Sequence, residues 1–237
     1  MNIKESLKNL TKFEWVLWMV SILSVLITMI ILGKDNLFSG IVSLVGVTGL
    51  IFVAKGDVLG PVIFLIFSIL YAILSYTCKY YGEMLTYILL NTPVAIASIV
   101  SWVRHRHKKD EIGIRINSIK CKEIIFLIFL TCIVTIAFYF ILEAFDTANL
   151  IVSTISITTS FVAIYLSTRR SKFYAVAYGC NDIVLMILWI MQSIDDVKYV
   201  SMVIASIIFL ANDIYGFYNW SKMRKKQKQE LKEGVVL

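Results

Sequence analysis

The chain has 237 residues, of which 59% are hydrophobic and 16% charged, and its mean hydropathy is +0.80. So little polar surface cannot cover a soluble globule, and the sequence is that of an integral membrane protein. The net charge of +7 does not point to nucleic acid, because all of the 23 Lys and Arg residues except Lys34, Lys79 and Lys198 fall in alternate loops and termini, a topology signal in which anionic lipid headgroups are a secondary partner.

Eight apolar stretches, each near the ~20 residues that cross a hydrocarbon core, occupy 13–32, 36–55, 58–78, 80–103, 122–142, 149–168, 172–194 and 198–220. The first follows Lys4, Lys8 and Lys12, but the run from Phe13 to Leu32 outlasts a signal-peptide core and no small-residue cleavage site follows. It reads as a retained anchor in which Trp15 and Trp18 need no function. Span two carries a track of small residues, Gly40, Ser43, Gly46 and Gly49, suited to close helix packing. Span three has Pro61 in its first turn, where the missing N–H costs nothing, and holds Tyr71 and Ser75. Span four groups Tyr80, Tyr87, Asn91, Ser98 and Trp102 on one face. Pro93 follows Asn91-Thr92 in its middle, which predicts a kink or local opening at the midplane.

The long polar interruption after span four contains Arg104-His105-Arg106-His107, which has no Cys or carboxylate at zinc spacing and reads as a solvated loop. Span six repeats the small-residue pattern with Ser153, Thr154, Ser156, Thr158, Thr159 and Ser160. On a helical wheel span seven places Tyr174, Tyr178, Asn181, Asp182, Leu185, Trp189 and Gln192 on one arc opposite an aliphatic one. Span eight groups Ser201, Asn212, Tyr215, Gly216 and Asn219, with Asp213 beside them. The end residues Tyr80, Trp102, Tyr218 and Trp220 suit an interfacial aromatic belt. Cys78, Cys121, Cys132 and Cys180 show no C-x-x-C spacing, so no disulfide framework is expected.

The basic-loop alternation places both termini in the cytoplasm. Spans two to four begin at Asn36-Leu37 and end at Trp102 before Arg104; spans six to eight begin at Asn149-Leu150 and end at Trp220 before Lys222. This weak duplication predicts two parallel three-helix bundles, 36–103 and 149–220. Around them lie an N-terminal segment with an extra helix (1–35), a basic loop (104–121), a linker helix with its outer loop (122–148) and a basic tail (221–237). The fold expected is therefore all-α and membrane-embedded, with about eight transmembrane helices.

Charged and amide groups at membrane depth face a polar cavity or a partner. Three helices with polar-aromatic faces suit a flat heterocycle joined to a sugar: Trp and Tyr rings stack, while Asn and Gln amides pair with a carboxamide or hydroxyls. No Lys or Arg lies in the central turns to neutralise Asp182 and Asp213, so amides or water are the expected compensation. H-E-x-x-H, G-x-S-x-G and P-loop motifs are absent, as is a mid-helix Lys for a retinal Schiff base. The one enzyme reading is an intramembrane aspartyl protease with Asp182 and Asp213 as a dyad; its Gly-rich context around the second Asp is missing.

Tyr81-Gly82-Glu83 followed by Asn91, Pro93 and Trp102, then Asn181 and Asp182 followed by Trp189, then Asn212 with Tyr215-Gly216 and Trp220, give an order and spacing that resembles the PnuC family of bacterial vitamin-precursor transporters over about residues 36–222. The resemblance implies a SWEET-like pair of bundles joined by a linker helix in the bacterial plasma membrane. It further implies carriage of nicotinamide riboside by facilitated diffusion, uptake driven by a cytoplasmic kinase that phosphorylates the substrate, and a homotrimer. Relatives carry thiamine, riboflavin or deoxynucleosides. The reading is a uniporter with no cofactor and no metal, whose site comprises Trp189, Gln192, Asn212, Asn91, Tyr215, Asn181, Asp182, Tyr87, Tyr71 and Asn219. Trp189 stacks on the base, and Gln192 and the asparagines hold the amide or ribose. A cation-coupled carrier is the first rival and the protease the second.

Overall fold

The computed structural model describes residues 3–32, 37–105, 114–147 and 149–233. Asn36, Arg106 and His107, which figured in the sequence reading, lie outside the described residues. The helices are α1 (Ile3–Lys8), α2 (Lys12–Leu32), α3 (Leu37–Lys55), α4 (Leu59–Thr77), α5 (Tyr81–Leu85), α6 (Thr92–Arg104), α7 (Cys121–Ala144), α8 (Leu150–Thr168), α9 (Tyr174–Asp195) and α10 (Val200–Lys232). Between α5 and α6 the chain makes a π-helical turn, Thr86–Asn91, so that α5, the turn and α6 cross as one span. Eight helices among the described residues are long and apolar enough to span a bilayer. Apolar composition selects helices because a chain in lipid must satisfy every backbone group within itself. Most expected boundaries hold within two residues; α10 instead runs on to Lys232, past the apolar stretch that ended at 220.

The π-turn stands where Pro93 predicts an opening. Proline has no N–H and its ring crowds the carbonyl four residues back; one widened turn relieves both. The Thr92 hydroxyl ties the turn by donating to the Tyr87 carbonyl at 2.8 Å.

Helix packing forms a closed ring of six. The middle helix of each triplet touches both of its partners: α3 on α4 and α4 on α6, then α8 on α9 and α9 on α10. Contacts of α10 with α3 and of α6 with α8 join the triplets, so the first helix of each meets the last helix of the other. α7 packs against α8 outside the ring, and α2 lies across α3 and α10.

The duplication extends to individual hydrogen bonds. In the turn after α3, Gly56 N–H donates to Val53 O at 2.9 Å and Asp57 N–H to Phe52 O at 2.9 Å; after α8, Arg170 N–H donates to Ser167 O at 2.8 Å and Ser171 N–H to Leu166 O at 2.9 Å. Both are helix stops with a left-handed residue, Gly56 at φ +77° and Arg170 at φ +55°. The next helix is then capped by Asp57 Oδ1 accepting from Leu59 N–H at 2.9 Å in one repeat, and by Ser171 Oγ accepting from Phe173 N–H at 3.4 Å in the other.

The last helices repeat one another too. Trp102 Nε1 donates to Ser167 O at 3.2 Å and Trp220 Nε1 to Val53 O at 3.0 Å, each bond crossing from one triplet to the other. The two indoles meet with ring centroids 5.4 Å apart. Both are fully buried, and Tyr80 is buried too, donating its hydroxyl to Leu188 O at 3.1 Å. The aromatic-belt reading therefore fails for these three, because their polar N–H and O–H groups find carbonyls inside the protein. Tyr218, 65% exposed, remains compatible with it.

The end of the ring holding these indoles also carries most of the basic residues. Here Ile114 and Ile116 pack with Trp102, Tyr174 and Trp220. The Gln227 side chain holds that segment by accepting from Ile116 N–H and donating to Ile114 O, both at 2.9 Å. The extension of α10 thus pins part of the basic loop beneath the ring. On the outer flank Glu14, 1% exposed, accepts from Lys55 Nζ at 2.9 Å, from Tyr215 Oη at 2.7 Å and from Thr11 N–H at 2.6 Å. One carboxylate near the start of α2 thereby grips α3 and α10 together.

Candidate functional site

All six ring helices contribute walls to one central cavity of about 60 Å³. Leu50 and Val53 come from α3, Phe64, Phe67 and Ser68 from α4, and Ser160, Ile164 and Ser167 from α8. The polar groups converge from three elements: Asn91 at the end of the π-turn, Asn181 and Asp182 on α9, and Asp213 on α10. Tyr87 and Tyr178 add aromatic surface. Among the described residues no Lys or Arg lines the cavity.

Asp182 and Asp213 are both buried and lie beside one another across the α9–α10 contact. Two neighbouring buried carboxyls with no cation beside them do not both ionise without a large cost, so a proton held between them is the expected compensation. The Oδ2 of each acid is buried without a partner. Asn181 is oriented by two hydroxyls: its Oδ1 accepts from Thr159 at 2.8 Å and Ser160 at 2.9 Å. What it retains to offer is its pair of N–H donors. Asn91 has the opposite character, with a buried Oδ1 that accepts nothing.

An aromatic cluster adjoins the cavity through Tyr87. Tyr71 lies on Tyr87 with centroids 4.2 Å apart and planes 32° from parallel. Trp189 Nε1 donates to Tyr71 Oη at 2.9 Å, and Tyr80 and Tyr199 each stand 5.8 Å from the Trp189 ring. Glu83, one helical turn before Tyr87, is 1% exposed, and neither carboxyl oxygen makes a hydrogen bond of standard geometry. Its spacing of four to Tyr87 and eight to Asn91 places it on the polar stripe of span four. That signal was present in the sequence, where Glu83 entered only as part of a motif.

The ten expected site residues divide by placement. Asn91, Asn181, Asp182 and Tyr87 line the cavity. Tyr71 and Trp189 form the aromatic cluster next to it, and half-buried Gln192 sits one turn beyond Trp189 on α9; none of these three lines the cavity. The α10 expectations need correction. Tyr215 turns to Glu14 on α2, Asn219 Nδ2 donates to Ala54 O at 2.8 Å, and Asn212 Nδ2 donates back to Ile208 O at 2.9 Å. The reason is angular: at ~100° per residue, 213 and 215 point in nearly opposite directions. From α10, Phe209 and Asp213 line the cavity, while Asn212 is buried beside them with an Oδ1 that meets no partner. Phe67, Phe209, Ser68 and Ser160 are cavity walls that a search for amides and acids passes over.

Two parallel helix triplets closed around a polar, aromatic-walled chamber, with apolar side chains such as Ile125, Phe129, Ile136 and Phe140 exposed outside, define a multi-pass membrane transporter. The family is specific. A family model described as nicotinamide mononucleotide transporter matches residues 36–222, and the chain belongs to this family. It is 22% identical over 220 residues to the nicotinamide riboside transporter PnuC of Neisseria mucosa, covering 91% of this chain and 83% of that relative. A crystal structure of the vitamin B3 transporter PnuC matches with a TM-score of 0.83 at 21% identity, over 94% of this chain and 97% of that one. The expected membership and fold are borne out, and the role is that of a transporter, not an enzyme.

Proposed function

We propose that the protein is a uniporter for a vitamin precursor, nicotinamide riboside first, working by facilitated diffusion. The observation that carries this reading is the cavity itself: oriented amide donors on Asn181, an unpaired acceptor on Asn91 and two adjacent buried acids, walled by aromatic rings. A carboxamide pairs with an Asn donor and an Asn acceptor, ribose hydroxyls pair with Asp182 and Asp213, and a flat ring stacks on tyrosine. The Neisseria mucosa relative, a nicotinamide riboside transporter, supports the same choice.

At about 60 Å³ the cavity is small against the ~300 Å³ or more of pockets for drug-sized ligands. A nucleoside therefore enters by parting the Tyr71–Tyr87 contact, which brings Trp189 and Gln192 into the site as base-stacking and amide-binding groups. The triplets rock about this point, opening it to one side and then the other. Binding energy shared by both conformations shifts no equilibrium, so the substrate leaves through whichever gate opens. The basic end faces the cytoplasm by the distribution of Lys and Arg. Net uptake is drawn by a cytoplasmic kinase acting on the arriving substrate, and the assembly is a trimer.

Calorimetric titration of nicotinamide riboside tests the site. Trp189→Ala and Asn181→Ala weaken binding at least tenfold, and unchanged affinity in both overturns the assignment. A thermal-shift screen with thiamine, riboflavin and deoxynucleosides alongside identifies the substrate by which ligand raises the melting temperature. The acid pair supports one second reading, a proton-coupled carrier. Proteoliposomes without internal kinase separate the two, since accumulation above equilibrium under an imposed proton gradient belongs to coupling alone.

A further inference from the structure

At the basic end, outside the ring, a second cavity of about 370 Å³ opens between the 114–120 segment, the α8–α9 turn and the extension of α10. Arg115, Arg170, Arg224 and Lys228 line it with His105, and among the described residues no carboxylate does. The Arg169 side chain, by contrast, is paired with Glu123.

Arg170 is only 8% exposed. Its Nη1 donates to the carbonyl and the hydroxyl of Ser101, each at 3.3 Å, while its Nε is buried with no partner. Arg224 likewise uses Nη2 on Ser118 Oγ at 2.6 Å and leaves a buried Nε unpaired. Burial, then the charges of Arg169 and Arg115, pull the Arg170 guanidinium below its ordinary value. Buried cations are normally paired, and an unmet one is costly.

The backbone adds an independent observation. Arg170 stands at φ +55° where the first repeat has Gly56 at φ +77°. A left-handed helix stop selects glycine. The turn needs no side chain there, so an arginine held against backbone preference points to a use for its guanidinium.

We propose that this cavity is a binding site for a phosphate ester, held by Arg115, Arg170, Arg224 and Lys228. Guanidinium forks approaching from three separate elements match a tetrahedral anion with several oxygens better than a carboxylate with two. The volume leaves room for the organic part of the ester. Its source is either a soluble phosphorylated metabolite or the headgroup of an anionic lipid at the membrane surface where α10 continues.

The test uses the full-length protein at fixed ionic strength. Ribose 5-phosphate is titrated calorimetrically in detergent, and melting is compared in nanodiscs of phosphatidylcholine with and without phosphatidic acid. The wild type binds saturably in at least one arm, and Arg170→Gly and Arg224→Gln each weaken that response at least tenfold. Arg170→Gly relieves the left-handed backbone and keeps or raises the unliganded melting temperature, which separates lost binding from lost folding. A response to the soluble ester alone, to the lipid alone, or to both supports the site and names its source. Silence in both arms, or undiminished responses in both variants, overturns it.

Discussion

The paired indoles at the basic end make a quantitative prediction about gating. Trp102 and Trp220 each donate one N–H bond to a carbonyl of the opposite triplet, at 3.2 and 3.0 Å, and both rings are fully buried. On the proposed rocking motion, opening this end separates α6 from α8 and α10 from α3, and these bonds would then belong to the closed state alone. A hydrogen bond of this kind contributes about 1–1.5 kcal/mol net, and 1.4 kcal/mol is roughly a tenfold change in a two-state equilibrium. Trp102→Phe and Trp220→Phe keep an aromatic filler and remove the donor, so each shifts the protein roughly tenfold toward opening at the basic end. The rings also touch, at 5.4 Å between centroids, so the double variant falls short of the product of the two single effects. The assay is the labelling rate of Ser68→Cys, a cavity-wall position, in a background lacking the four native cysteines. A membrane-impermeant maleimide is applied from the basic side. Unchanged rates in both variants, or an increase in one without the other, would refute the paired-lock reasoning, since the two bonds occupy corresponding places in the repeats.

Three further outcomes follow from the packing. Glu14→Gln removes the charge that holds Lys55 and Tyr215, and because Lys55 is partly exposed the loss is about 1–3 kcal/mol; chemical denaturation in detergent measures it, and Tyr215→Phe accounts for about half. Gly60→Ala drives a Cβ to within 2.5 Å of the Val53 backbone nitrogen and lowers the melting temperature sharply, whereas Gly179→Ala meets only the end of the Leu210 side chain at 3.3 Å and is tolerated. Asp182→Asn preserves a donor for Asp213 and melts near the wild type, while Asp182→Leu strands a buried acid and melts well below it; equal melting of the two variants removes the shared-proton account.

Span number, the helix limits other than the end of α10, and the parallel duplication were legible in the sequence because each rests on the apolar length that must cross the bilayer. Twenty apolar residues have to cross, and lipid forces them to be helical. The fourth helix was readable to the turn, since Pro93 removes a donor wherever it stands. The α9 stripe was readable because Tyr178, Asn181, Asp182 and Leu185 crowd a single arc and the opposite arc has no polar group to compete. Glu14 lay beyond reach, as its partners Lys55 and Tyr215 belong to other helices.

The errors on α10 have a common physical origin. A helix in a ring that also bears an outer helix has three neighbours and therefore three interfaces. On α10 these are the cavity face with Asp213, the α3 face with Asn219 and the α2 face with Tyr215. Polar residues serve all three, and a hydrophobicity wheel distinguishes only polar from apolar, so residues with different partners fall into one group. The second repeat offers a way to separate them. Ser101 donates to Thr168 O at 3.0 Å as Asn219 donates to Ala54 O, so a residue filling the same place in both triplets belongs to the joint between them. Asp213 has no acidic counterpart on α6, and neither does Asp182 on α4. The acid pair is thus confined to one triplet of a symmetric frame, so both carboxyls enter the cavity from one side while aromatic rings line it from both triplets. On the proposed function the hydroxyls of the substrate are drawn to that one side, while its flat ring finds aromatic surface on either.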